Sequence, residues 1–326
     1  PIPIIAMRFI EFVILSSLLV GNCLRRTIKP LRKILIPASV IGGIILLIIS
    51  SISKVFLDES FFDTKYFNNN GIKVLEIITY HCLGIGFVSM ALKTSDKKFT
   101  KEKNGKIFDS GVLTVGTYLL QAIVGLVISI IFVLIGSKLT FKSAGVLLPF
   151  GYGQGTGQAM NYGNLFETEF GFVGGKSFGL AVAALGFLSA AIGGVIYMNI
   201  LKKKGKIKVN DGEIKEVMKL EDYEAKDEIA STESIDKLTI QFAIVIGTYL
   251  LAFFLMKGIS VLIKGTESLI FGFNFLIGTL MAILVKNVVK WLRKKNIIKQ
   301  EYISNYFMNR IGGFAFDIMI VAGIAA

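Results

Sequence analysis

Eight stretches of this chain are long and apolar enough to cross a lipid bilayer as helices, and this feature restricts the fold more than any other. A bilayer core of about 30 Å requires roughly 20 apolar residues per helix. A backbone in lipid also has to pair its own N–H and C=O groups, which favours helices over irregular structure. The predicted spans are 9–23, 34–57, 72–92, 107–135, 170–201, 238–263, 268–290 and 306–326. The fold class that we predict is an all-α integral membrane protein.

The composition excludes several classes of protein. Of the 326 residues, 53% are hydrophobic and 18% are charged, whereas about a quarter of the residues in a soluble domain are charged. A mean hydropathy of +0.66 therefore argues against an ordinary cytosolic enzyme and against a disordered chain. A single histidine, His81, excludes a multi-histidine metal site, and two cysteines cannot form a disulfide framework. Since the sequence has no recognisable nucleophile–base pair, we expect neither enzyme activity nor a cofactor.

The basic residues predict how the chain is oriented in the membrane. They concentrate after the first, third, fifth and seventh spans, within 25–33, 93–106, 202–208 and 286–299, and the alternate connections contain fewer. Because cytoplasmic connections carry the excess of lysine and arginine, this alternation predicts an N-terminus outside the cell membrane and a cytoplasmic connection after the fifth span. The net charge of +13 is then a signal of topology. Nucleic-acid binding, the competing interpretation of such a charge, is not expected.

A charged linker at 202–237 divides the chain into two parts, 1–201 and 238–326. Five spans precede the linker, so a second part of similar build would cross the membrane with opposite polarity. This is the geometry of secondary transporters that contain inverted repeats. The second part has three spans, and we expect either that the chain continues beyond Ala326 or that the repeat is incomplete. The linker is predicted to be solvated, with a short helix near 213–229.

The most unusual segment lies between the fourth and fifth spans. Residues 147–164 contain five glycines, which alternate with aromatic, amide and hydroxyl side chains, and they carry no charge. Glycine allows close approach to the main chain, and irregular backbone at membrane depth is tolerated only where it is buried in protein or lines a cavity. We therefore predict a re-entrant hairpin over 145–166 whose tip lies near the middle of the bilayer. The alternative is a glycine-rich surface turn.

This hairpin contains most of the residues that we predict to bind ligands. Helix N-termini attract a carboxylate, and carbonyl, amide and hydroxyl oxygens are hard donors that suit a small cation. The predicted substrate-binding residues are Gly153, Gln154, Gly155, Thr156, Gly157, Gln158, Asn161 and Arg310. The candidate ligands of the cation are Thr156, Gln158, Asn161, Asn164 and Asp317.

Three ionisable residues inside the predicted spans are candidates for function, because such residues are rare in membranes and often functional. Each of them also has a structural interpretation. Arg310 is a candidate for bidentate binding of a carboxylate, or an arginine that extends to the membrane interface. Asp317 lies seven positions later on the same helix face, where it would neutralise a cation or pair with another helix. His81 is a candidate for substrate contact or proton relay, or a hydrogen-bonded packing residue.

Several segments, in order along nearly the whole chain, carry a family resemblance. They are Leu19-Val20-Gly21, Leu24-Arg25-Arg26, Ile36-Pro37-Ala38, Gly42-Gly43, Gly151–Asn164 continued by Leu165-Phe166-Glu167, the helix Phe178–Gly194, and Asn309-Arg310-Ile311-Gly312. Together they resemble the sodium:glutamate symporter family, a group of bacterial membrane carriers. One departure lies in the hairpin, where the family often has Gly-His-Gly-Thr-Gly and this chain has glutamine, Gln154, in place of the histidine.

The resemblance implies a symporter that imports an anionic amino acid, glutamate, together with sodium, and that forms a homodimer in the lipid bilayer. It also implies two inverted halves of five spans, each with a re-entrant loop, and it makes sodium the cation of the hairpin. Because glutamine at position 154 cannot be protonated, a sodium-coupled carrier of a dicarboxylate or tricarboxylate is the alternative. A channel, or a membrane sensor that uses the linker as its output, is a more distant alternative.

Overall fold

The computed structural model describes residues 4–29, 31, 36–94, 101–136, 141–205, 237–298 and 302–326. Within these ranges the chain is helical and contains no strand, which confirms the all-α fold class. Eight of the helices described are long and apolar enough to cross a membrane, in agreement with the eight predicted spans. The helix predicted near 213–229, and most of the linker around it, lie outside the described residues.

The helices are numbered here in chain order. They are α1 Ile4–Thr27, α2 Ala38–Leu57, α3 Gly71–Leu92, α4 Lys101–Leu134, α5 Thr156–Phe170, α6 Gly175–Lys203, α7 Lys237–Leu262, α8 Glu267–Gly272, α9 Asn274–Lys294 and α10 Asn305–Ala325. Short 3₁₀ turns lie at Phe61–Asp63, Lys65–Phe67 and Ala144–Leu147, and a π-helical turn lies at Pro149–Gly153.

Two predicted spans were wrong at their starts. The span predicted from residue 170 joins the end of α5 to the start of α6, which are separate because Gly171 and Gly174 have φ angles of 69° and 79°. Such angles belong to the left-handed region that glycine adopts at helix ends. The span predicted from residue 268 begins with the short helix α8, and the membrane-length helix α9 starts at Asn274. In both cases a local break separates apolar residues that follow one another in the sequence.

The described residues form two compact units, of which the first draws on Pro1–His81, Asp96–Val195 and Asp317–Ala326. Its α1 and α2 pack through small residues, since a Cβ on Gly42 would lie 2.7 Å from the carbonyl oxygen of Ser17. Close approach of this kind is how membrane helices gain van der Waals contact. Beside this crossing lies a buried apolar cluster of Ala6, Ile10, Ile14, Leu46, Phe62, Phe67, Leu75, Val321, Ala322 and Ala325.

The second unit draws on Cys82–Ser95 and Ile196–Phe316. Two side-chain amides bind backbone around the start of α10. Gln241 donates to the carbonyl of Tyr302 and accepts from Ser304 N at 3.1 Å, and Asn305 both accepts from Thr94 N and donates to Thr94 O at 2.8 Å. These bonds pair backbone groups that have no partner within the helices. The division of the chain at the linker, and an inverted relation between its parts, stay predictions.

Candidate functional site

The glycine-rich segment folds back on itself in the first unit. We call Ala144–Gly153 the first arm, Gln154–Gly155 the tip and α5 the return helix; together they form the hairpin. The first arm consists of a 3₁₀ turn and a π-helical turn. Turns of the π type are rare and occur frequently at functional sites.

The first arm runs antiparallel along α4. Ser129 Oγ donates to the carbonyl of Lys142 at 2.7 Å, and the backbones of Gly125 and Gly145 are in contact. Eleven residues earlier on α4, the hydroxyl of Tyr118 donates to the carbonyl of Gly153 at 3.1 Å. At 1.5 Å per residue the chain from Lys142 to Gly153 therefore follows α4 for about 16 Å. The tip lies level with Tyr118, near the middle of α4.

The return helix runs antiparallel along α6. A Cβ on Gly163 would meet the backbone of Gly175, and one on Gly179 would meet the carbonyl of Ala159. Further along α6, a Cβ on Gly186 would lie 2.9 Å from Cα of Tyr152, beside the tip. From Gly175 to Gly186 the distance along the helix is again about 16 Å. Glycines on both helices let the hairpin pack this closely, because a side chain would separate the two backbones.

The tip is a break between two helical segments. Gly155 has φ of 87°, a conformation that other residues adopt only with strain. The return helix starts at Thr156 without a side-chain cap, and the amide of Ala159 donates to the carbonyl of Gly155 at 3.1 Å. The N–H groups that precede it have no partner within the helix. The start of the return helix therefore combines free donors with the positive end of the helix dipole.

Polar side chains are buried in this first turn of the return helix. Thr156 and Gln158 are 0% and 1% exposed. In the part of the chain that the structure describes, Thr156 Oγ1 and both amide atoms of Gln158 have no hydrogen-bond partner. A buried polar group left without a partner costs about 1–3 kcal/mol. A polar ligand that bound here would offset this cost.

The last helix borders the same turn, because α10 ends within the first unit. A Cβ on Gly323 would lie 2.7 Å from Cβ of Thr156 and 2.9 Å from its hydroxyl oxygen. The ring of Phe187 on α6 lies 3.4 Å from where a Cβ of Gly155 would be. Thr156 is thus enclosed by the hairpin and α10.

The predicted hairpin residues lie together in this region. Gly157 and Asn161 are buried, Gln154 and Asn164 are half-buried, and Gly153 is an exposed glycine held by Tyr118. Their roles as ligands stay predictions.

Three other candidates lie elsewhere on the helices. Arg310 belongs to the second unit and is exposed, with its guanidinium carbon 5.4 Å from the centre of the Tyr306 ring. Asp317 is exposed on α10. His81 is half-buried on α3, and its ring meets that of Tyr80 edge-on at 5.1 Å.

Sequence reasoning did not identify three residues that border the hairpin. Tyr118 and Gln121 lie on α4, and Gly323 lies near the end of α10. Only Gln121 could have been noticed in the sequence, because it lies within the long apolar run of the fourth span. A buried amide in such a run costs free energy unless it has a hydrogen-bond partner. Neither Tyr118 nor Gly323 is unusual in a membrane helix, so only their contacts distinguish them.

Comparison with known protein families decides the family of the chain. The family model for the sodium/glutamate symporter matches residues 5–320, which is nearly the whole chain. The chain belongs to the sodium/glutamate symporter family. A search of curated proteins and a search of solved structures gave no match.

Membership of this family confirms the predicted class of protein. The sodium/glutamate symporter family consists of transporters and not of enzymes, and its coupling ion is sodium. Together with the eight apolar helices, the family makes this chain a multi-pass membrane protein of the symporter class. Within the first unit, the hairpin contains buried polar side-chain atoms that have no partner among the described residues.

Proposed function

We propose that this protein carries glutamate across the cell membrane into the cell together with sodium, and that the tip of the hairpin binds both. The observation that carries the proposal is the start of the return helix, where Thr156 and Gln158 are fully buried and their side-chain polar atoms have no partner. The family supports sodium and glutamate as the pair of solutes.

The start of the return helix suits a carboxylate. Free backbone amides and the helix dipole both favour a negative charge at this end of a helix. No charged side chain lies between Gly151 and Asn164 to compete for the substrate. The hydroxyl of Thr156 and the amide nitrogen of Gln158 are further donors at the same turn. Carboxyl oxygens of glutamate would therefore find several donors within one helical turn.

Sodium binding would balance the charge of the substrate. The oxygens of Thr156 and Gln158 suit a small cation, as do the carbonyls of interrupted helices in other transporters. One sodium ion that moves down a tenfold gradient releases about 1.4 kcal/mol, and about 2.3 kcal/mol more per 100 mV of membrane potential. One or two ions would thus drive accumulation of an anionic amino acid.

The hairpin is proposed to be re-entrant, with its tip near the bilayer middle. Its contacts with α4 and α6 support this depth, because they extend for about 16 Å along each of these two helices, roughly half of a bilayer core. The inverted arrangement of the two parts, an N-terminus outside the cell, a cytoplasmic linker and a homodimer complete the proposal. Arg310 and Asp317 are proposed as further contacts of substrate and sodium.

The test is uptake by the full-length protein reconstituted in liposomes. Labelled glutamate should accumulate with an inward sodium gradient and not when potassium replaces sodium. Aspartate, glutamine and citrate, offered in parallel, test the choice of substrate. Uptake of citrate but not glutamate would contradict the substrate, and uptake that ignores sodium would contradict the coupling.

Two variants test the placement of the site. Thr156→Val and Gln158→Leu remove the unpaired polar atoms at nearly constant volume and should abolish sodium-dependent uptake. Thr117→Val is the matched control, because Thr117 is exposed on α4 and its hydroxyl already donates to Thr114 O at 2.7 Å. Normal uptake by the first two variants would refute the placement at the return helix.

A further inference from the structure

Gln121 lies on the one face of α4 that contacts the hairpin. Every described position from 105 to 136 is exposed except for one stripe. The stripe consists of Tyr118, Gln121, Ala122, Gly125, Leu126, Ser129 and Val133. Its spacing of three and four residues belongs to a single helix face. Since Tyr118, Gly125 and Ser129 all contact the chain at or beside the first arm, Gln121 faces the same arm.

The amide oxygen of Gln121 is an acceptor without a donor. It is buried and has no hydrogen-bond partner in the described part of the chain. Leu148 lies against Gly125, and Gly153 lies against Tyr118, so the arm residues opposite Gln121 are those from Pro149 to Tyr152. Proline has no N–H, so Pro149 offers this oxygen no donor.

A cation is the group that such an oxygen would bind. Residues 149–153 form a π-helical turn, and irregular helical backbone presents carbonyl oxygens that coordinate sodium in transporters. Tyr118 already occupies the carbonyl of Gly153, which fixes the arm beside Gln121. The position thus combines a side-chain amide oxygen with a turn that bears backbone carbonyls.

We propose that the amide oxygen of Gln121 is a ligand of a transported sodium ion, held between α4 and the first arm. This inference rests on the proposed function and adds to it a residue outside the glycine-rich segment. The ammonium group of an amino acid substrate has similar chemistry, so the experiment has to distinguish the two cations.

The experiment compares Gln121→Leu with the wild-type full chain in liposomes and in detergent. In liposomes, the sodium concentration for half-maximal uptake should rise about tenfold, which corresponds to 1.4 kcal/mol, whereas KM for glutamate at saturating sodium should change less than about twofold. In detergent without glutamate, sodium but not potassium should raise the melting temperature of the wild type, and this rise should disappear in the variant. Thr114→Leu, an exposed position on the same helix, should behave as the wild type in both measurements.

Two results with Gln121→Leu would overturn the assignment. An unchanged half-maximal sodium concentration in Gln121→Leu would exclude the residue as a sodium ligand, and a change confined to KM for glutamate would identify the ammonium group as its partner. If Gln121→Leu does not fold, Gln121→Glu replaces it, because the carboxylate keeps an oxygen and adds charge, and it should lower the half-maximal sodium concentration. No decrease would equally overturn the assignment. If the wild type itself takes up glutamate without sodium, the proposed function fails. If the wild type depends on sodium and only the variants depart from expectation, the assignment of Gln121 alone fails.

Discussion

Thr156 and Gly323 are in direct contact, although they lie on the return helix and near the end of the last helix of the chain. A Cβ on Gly323 would lie 2.7 Å from Cβ of Thr156 and 2.9 Å from its hydroxyl oxygen. Because Gly323 has no side chain, there is space for the side chain of Thr156 beside α10. The backbone of α10 at this position limits the orientation of the Thr156 hydroxyl. The contact connects the candidate binding turn to a helix distant in sequence.

Gly323→Ala should impair transport and stability together. The added methyl group would displace Thr156, and overpacking of this kind costs about 1–3 kcal/mol. We expect a lower melting temperature in detergent and a higher KM for glutamate in liposomes. Gly313→Ala is the control on the same helix, since no atom of the described structure lies within 4 Å of where its Cβ would be. Equal behaviour of the two variants would show that the contact does not matter.

Gly145→Ala should destabilise the hairpin more than any substitution at an open glycine. A Cβ at this position would overlap the backbone of Gly125, and backbone atoms cannot rotate away as a side chain does. We expect a loss of at least about 2 kcal/mol, measured as a drop in melting temperature and in the yield of monodisperse protein. Gly111→Ala on α4, where no described atom lies within 4 Å, should be neutral or slightly stabilising, because alanine favours a helix. A neutral Gly145→Ala would mean that the first arm is not packed on α4.

The ion pair of Glu76 and Lys176 should stabilise the first unit measurably. Its atoms are 3.1 Å apart, the side chains are 22% and 27% exposed, and the amide of Lys176 also donates to Glu167 at 3.2 Å. The interaction energy of such a partly exposed ion pair lies between that of exposed pairs, which is small, and that of buried pairs, which is large. We therefore expect a coupling of about 1–2 kcal/mol.

A double-mutant cycle of Glu76→Gln and Lys176→Met, read out by chemical unfolding, measures this coupling. The exposed pair of Arg8 and Glu11, with an N–O distance of 3.3 Å, serves as the control and should give no measurable coupling. Additive effects of the two substitutions at Glu76 and Lys176 would contradict the prediction.

The predicted spans depended on the hydropathy of consecutive residues, which the local sequence determines. A run of about 20 apolar residues has to be buried or covered by lipid, and in lipid only a helix pairs its own backbone groups. The number of membrane-length helices was therefore predictable, whereas their ends were less so. Helix α1 starts at Ile4, so Arg8 belongs to the helix although it precedes the predicted span 9–23, because a charged helix end can extend beyond the apolar core.

The hairpin was predictable as a location but not as a set of contacts. Its glycines and missing charges indicated close packing at 145–166, and the fold has such packing on α4 and α6. Gln121, by contrast, is one amide in an apolar run, and nothing in its neighbours indicates that its oxygen would lack a donor.

The amino-acid sequence by itself determined the all-helical class and the position of the glycine-rich segment, because both follow from the hydropathy and backbone freedom of consecutive residues. The tertiary structure decided that Thr156 lies against Gly323 and that Gln121 lies on the face of α4 that contacts the hairpin. Such pairs depend on how helices distant in the chain pack side by side, and that packing depends on the shapes of whole helix faces, to which each residue contributes only a part.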